Sequence, residues 1–160
     1  MKKTFIIVTA ILIATSCDDL EQSNGLISRI EDKLDEAITE FEPTNSSFLF
    51  TVFHNDTAIV QIVHRSVIEQ TRHDNDEFGL AINLPFDPSF ESELYHHDKF
   101  KKLNLSKSFT YYEWDGIPIY ALDLGLDTKK SARIITQLLS EVYGYDLRSN
   151  FEMELLDQSK

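Results

Sequence analysis

The chain has 160 residues, 42% of them hydrophobic, with 15 basic against 27 acidic side chains and a formal net charge of −12. That balance argues against a nucleic-acid binder, whose affinity rests on lysine and arginine against phosphate. Eleven phenylalanines, six tyrosines and a tryptophan exclude a disordered chain, and a single cysteine excludes an internal disulfide.

In chain order, Lys2 and Lys3 precede an uncharged apolar run from Phe5 to Ala14, and small residues then lead into Cys17. A charged n-region, an apolar h-region and a small-residue cleavage site are the parts of a secretory leader. The run is too short for a membrane-spanning helix, which takes about 20 residues. Ala14-Thr15-Ser16-Cys17 resembles the lipobox of bacterial lipoproteins. The resemblance implies cleavage before Cys17, acylation of Cys17, and a bacterial cell-envelope location as an outer membrane lipoprotein facing the periplasm or the exterior. Several acyl chains hold stably where one holds only marginally. Cleavage removes both lysines and leaves 144 residues with a net charge of −14. The expected layout is a leader over 1–16, an acidic tether over 17–25 and one domain over 26–156. Acidic residues directly after the cysteine (Asp18, Asp19) resemble the export signal of surface lipoproteins in some Gram-negative bacteria; in other bacteria an aspartate there means retention at the inner membrane.

Leu26 to Phe41 reads as a helix, with Ile27, Ile30, Leu34, Ala37, Ile38 and Phe41 at three- and four-residue spacing. Pro43 and Thr44-Asn45-Ser46 stop it. Ser47 to His64 reads as a hairpin with Asn55-Asp56 as its two-residue turn, so His54 faces Thr57 and Ser47 faces His64. In that register both faces are apolar and both want cover. His54 and His64 fall over 20 Å apart along the ribbon, too far to share a metal, and hairpin-end histidines are expected to be solvated. Asp56-Thr57-Ala58 resembles the O-glycosylation sequon of some Gram-negative bacteria, which makes Thr57 a candidate glycosylation site. Arg65 to Glu77 reads as a polar loop with some strand extension at its start.

Phe78 to Leu84 is a third strand in which Gly79, Ala81 and Asn83 leave the off-face open to close packing. Asp87-Pro88 looks like an N-cap and first helical position. The helix that follows, to about Lys101, is expected to turn Phe90, Leu94, His97 and either Phe100 or Lys101 inward. Neighbours on a helix point about 100° apart, so His96 and His97 do not make a metal pair.

Ser108 to Leu124 is the plainest element: SFTYYEW, Asp115-Gly116, IPIYALDL. Asp-Gly between apolar runs is a strong hairpin signal, and the register sets Tyr112 against Ile119, Trp114 against Ile117 and Tyr111 against Tyr120. Phe109, Tyr111, Tyr120, Leu122 and Leu124 are expected to meet the helices. Tyr112 and Trp114, bordered by Glu113 and Asp115, then form the candidate binding surface. Asp127 or Thr128 starts a third helix with Ala132, Ile135, Leu138, Leu139 and Val142 inward and Gly144 as its left-handed end. Phe151, Met153 and Leu155 suggest a last strand.

The expected fold is α+β, with a mostly antiparallel sheet of five to six strands from two hairpins and three helices in the order α-β-β-β-α-β-β-α-β. That order loosely resembles the secretion-chaperone-like fold, but no motif of that family accompanies it and no function carries over. No glycine-rich phosphate loop, nucleophile elbow, zinc-protease helix or CxxC pair is present. The histidines (His54, His64, His73, His96, His97) are scattered, and no cofactor or metal is expected. The reading is a lipid-anchored, non-enzymatic interaction protein, immunity-type in one version, neutralising a basic partner. The partners are the membrane, through Cys17, and a protein or glycan. The rival is an envelope hydrolase or carbohydrate-handling enzyme with a hidden site.

Overall fold

The computed structural model describes residues 11–68 and 77–159, with side chains from Asn24 onward. Residues 1–10 of the leader, the side chains of residues 11–23 with Cys17 among them, and the 69–76 part of the loop with His73 lie outside the described residues. Three helices lie against a six-stranded, wholly antiparallel sheet, an α+β fold as expected. The sheet comprises β1 (Phe48–His54), β2 (Thr57–His64), β3 (Leu80–Pro85), β4 (Thr110–Trp114), β5 (Ile117–Gly125) and β6 (Glu152–Asp157). They lie in the order β4-β5-β3-β2-β1-β6, so the second hairpin takes one edge and the C-terminal strand the other. Among the described residues no helix is long and apolar enough to cross a membrane.

The first helix, α1 (Ile11–Phe41), buries Leu26, Ile30, Leu34, Ala37 and Phe41, while Ile27 and Ile38 of the predicted stripe are half-buried against the core. Asn24 and Gly25 already belong to it. It runs into a 3-10 turn, Glu42–Thr44, which closes where Asn45 takes a left-handed conformation and donates its N–H to the Glu42 carbonyl. The third helix, α3 (Thr128–Gln137), starts with the Asp127 carboxylate accepting the Lys130 N–H at 2.9 Å. It packs beside α1 and closes in a π turn, Leu138–Val142, followed by Gly144 at a φ of 76°. Between these helices and one face of the sheet sits the main core, centred on Phe48, Phe50, Ile62, Leu80, Ile82, Ile135 and Phe151.

The first hairpin departs from its simple register. Asn55 and Asp56 both have positive φ, as the two-residue turn requires, and His54 faces Thr57 and Phe53 faces Ala58. Val52 then faces Val60, with Ile59 squeezed out between them as a β-bulge, so Leu49 rather than Phe48 lies opposite Val63. A one-residue slip changes which side chains share a face. Here it gathers Val60 and Ile62 with Phe48, Phe50 and Val52 on the core side. The two-sided apolar ribbon expected from sequence is thereby corrected to one strongly apolar face. The opposite face needs only a small cluster, Ile68, Ala81 and Ala121 with Val63 and Tyr112 against it.

The expected close packing occurs at Gly79, just before β3. Arg65, buried at the end of β2, lies against Gly79 and reaches Asp123 of β5 at 3.3 Å. A Cβ on Gly79 would collide with its guanidinium. His64 is not solvated as expected: it is buried, its ring bonded to Asn45 and Ser66 and edge-on to Phe78. His54 leans on Tyr145 at 4.5 Å between centroids.

The second helix, α2 (Glu91–Lys102), starts later than expected because Asp87 spends its carboxylate on an Asx turn to the Ser89 N–H. Its phase is set by Phe100, which is fully buried, so the inward arc is Glu93, His96, His97 and Phe100. Phe90 and Leu94, expected inside, are exposed instead.

Candidate functional site

Two surfaces bring chemistry together. One is the second hairpin, whose register is the predicted one, residue for residue: Tyr111 against Tyr120, Tyr112 against Ile119, Trp114 against Ile117. Asp115 and Gly116 form its turn, both with positive φ. Phe109, Tyr120, Leu122 and Leu124 join the main core as predicted. Tyr111 does not; it is 53% exposed, its hydroxyl donating to Glu113 at 3.3 Å. Tyr112 is half-buried over the small second cluster and donates its hydroxyl to Asn83 Oδ1 at 3.0 Å. Burial pushes its phenol up from the ordinary value. Trp114, at the tip, is 70% exposed. Glu113 and Asp115 are exposed beside it. Since β4 is the outermost strand, its far side carries no neighbouring strand among the described residues.

The other surface is a cleft of about 610 Å³ that has no continuous signal in the sequence. The β2–β3 ladder ends at Gln61 and Asn83, although β2 begins at Thr57 and β3 continues to Pro85. Between these free ends the cleft opens, walled by Thr57, Ala58, Ile59 and Gln61 on one side and Asn83 and Pro85 on the other. Its remaining walls come from Asp87, Phe90, Ser92, Glu93 and His96, and from Tyr143 and Tyr145. The π turn and left-handed Gly144 after α3 deliver those two tyrosines: the Tyr143 N–H reaches Leu138 and the Tyr145 N–H reaches Leu139. His96 packs edge-on to Tyr143 with centroids 4.9 Å apart. Its Nδ1 is buried, lacks a hydrogen-bond partner and lies 3.5 Å from Glu93 Oε1. Burial and the nearby Glu93 carboxylate push the Tyr143 phenol far up. Hydrogen bonds from Ser89 hold the Asp87 carboxyl below its usual range.

The neighbouring histidines divide as helical geometry requires. His97 turns the other way, stacked on Phe86 with Nε2 3.0 Å from the Tyr120 hydroxyl. Its pKa is lowered by burial first and Lys101 second. Thr57 is exposed on its turn at the rim of the cleft. Among the described residues no three histidine, cysteine or carboxylate side chains converge on a common metal position.

No family model, curated protein or solved structure matches this chain.

Proposed function

We propose that this chain is a non-enzymatic binding module of the bacterial cell envelope, tethered by lipid at Cys17, that recognises a basic protein partner through its second hairpin. One observation carries the reading: Trp114 and Tyr111 stand exposed on an edge strand, with Glu113 and Asp115 around them. Tryptophan and tyrosine dominate binding hot spots, where truncation commonly costs about 2 kcal/mol or more. The acidic rim and the net charge of −12 favour fast association with a basic surface over an acidic one. An immunity-type role, in which a tethered acidic protein neutralises a basic toxin near the membrane, fits those properties. The hydrolase alternative draws less support. The sequence carries no nucleophile elbow and no zinc-protease helix on which to build it.

Two substitutions test the two halves of the proposal. Cys17→Ala should move the protein from the membrane to the soluble fraction; retention as strong as wild type refutes the anchor. Trp114→Ala should lose a basic partner that the wild-type protein captures from envelope extract, as read by quantitative mass spectrometry. If wild type and variant capture the same proteins in equal amounts, the hairpin is not the recognition surface.

A further inference from the structure

We infer that the free edge of β4 takes its partner as an added β-strand, an extended segment with a lysine or arginine opposite Glu113. This rests on the second hairpin as the recognition surface and adds how the partner is held there. Pro118 fixes the geometry. It has no N–H, so its pair with Glu113 is a non-hydrogen-bonded one. Its carbonyl turns toward β3 instead, accepting the Phe86 N–H at 2.9 Å. The two-residue turn gives the same alternation, because Trp114 and Ile117 close it as a hydrogen-bonded pair. Thr110, Tyr112 and Trp114 therefore direct their main-chain groups to β5. Tyr111 and Glu113 turn theirs outward, two N–H donors and two carbonyl acceptors at the spacing of a ladder, and no group among the described residues meets them.

An open edge invites pairing, and proteins ordinarily blunt it with charge, proline, a bulge or a cover. The two edges of this sheet differ in that respect. Half of β6 is carboxylate: Glu152, Glu154 and Asp157. By contrast, β4 has no proline, no lysine and no register shift, and it presents Tyr111 and Trp114 to water. Charge then selects the occupant. A second copy would bring another chain of net charge −12 to an edge that carries Glu113 and Asp115. A basic residue opposite Glu113 instead makes a favourable cross-strand pair. With the added strand antiparallel, the residue before that basic one lies opposite Trp114, whose exposed ring suits an arginine. The residue after it lies opposite Tyr112, on the half-buried side where a β-branched side chain packs.

Trp114 is the only tryptophan of the chain, so its emission reports on this edge. The test uses full-length protein in neutral detergent micelles at low salt, titrated with the capped peptide Ser-Arg-Lys-Val-Thr-Val-Ser and followed by emission and calorimetry. In the antiparallel register its lysine and threonine meet Glu113 and Tyr111, and a saturable blue shift is expected. N-methylation of the lysine and threonine removes the two N–H groups that reach β4 and should weaken binding by about tenfold or more. N-methylation of the two valines, whose N–H groups point away from β4, should leave binding nearly unchanged. Glu113→Gln should weaken it by about threefold, and added salt should erase that difference. If the two methylated peptides bind alike while Trp114→Ala still loses the envelope partner, the hairpin remains the recognition surface and strand addition is overturned. Equal capture by wild type and Trp114→Ala removes the hairpin reading and strand addition with it. Strand addition is also overturned if the parent peptide gives neither shift nor heat, or if glutamates in place of its arginine and lysine bind as well. Emission that varies with protein concentration in the absence of peptide would put a second copy on the edge and overturn it too.

Discussion

The two hairpins of this protein are built from similar residues and put to different uses. Each has a two-residue turn with positive φ at both positions, and each is rich in aromatic and β-branched side chains. The first lies in the interior of the sheet, flanked by β3 and β6, and its bulge turns Phe48, Phe50, Val52, Val60 and Ile62 into one wall of the core. The second keeps a regular ladder and occupies an edge, so Tyr111 and Trp114 remain in water. Burial is decided by where a ribbon stands in the sheet, and composition alone does not announce it.

That contrast can be pressed hardest by truncating one ring in each hairpin. Phe50 is fully buried, and Phe50→Ala should cost about 3–5 kcal/mol in urea denaturation. Trp114→Ala should change stability by no more than about 0.5 kcal/mol, as exposed positions do. Comparable losses would mean that the tip of the second hairpin is covered in solution. A smaller effect should come from exchanging turn chemistry. Gly116→Ala places a side chain at a φ of 78° and should cost about 1 kcal/mol. Asp56→Gly, which makes the favoured Asn-Gly turn at a φ of 61°, should bring a smaller gain, reduced by the entropy glycine loses on folding. Denaturation midpoints moving the other way would show that the turns do not set their hairpins.

The second hairpin could be read from sequence down to individual pairs because Asp115-Gly116 fixes both its place and its register. The stripe of α3 could be read because helical period and cap agree at Asp127 and Gly144. The bulge at Ile59 could not. Two registers of β2 were locally equivalent, and only the need to gather apolar side chains under α1 and α3 separates them. The phase of α2 is hidden in the sequence because Asp87-Pro88 resembles a cap, whereas burial of Phe100 decides which residues face inward. His64 reads as a solvated end residue because its partners, Asn45 and Phe78, are distant in sequence. The cleft had no signal to find: β2, β3, α2 and the π turn each contribute a few unremarkable residues to it.

The placement of β6 has a consequence for how the protein is made. This strand pairs with β1, and Phe151 just before it is fully buried against a core begun by Leu26 and Ile30. Arg29 of α1 is held to the Phe151 carbonyl at 2.7 Å. A nascent chain emerging from the ribosome therefore presents β1 long before it can supply the strand that covers it. Until Phe151 to Asp157 arrive, β1 has an open edge and the core lacks a wall, so the domain cannot close before that strand is made.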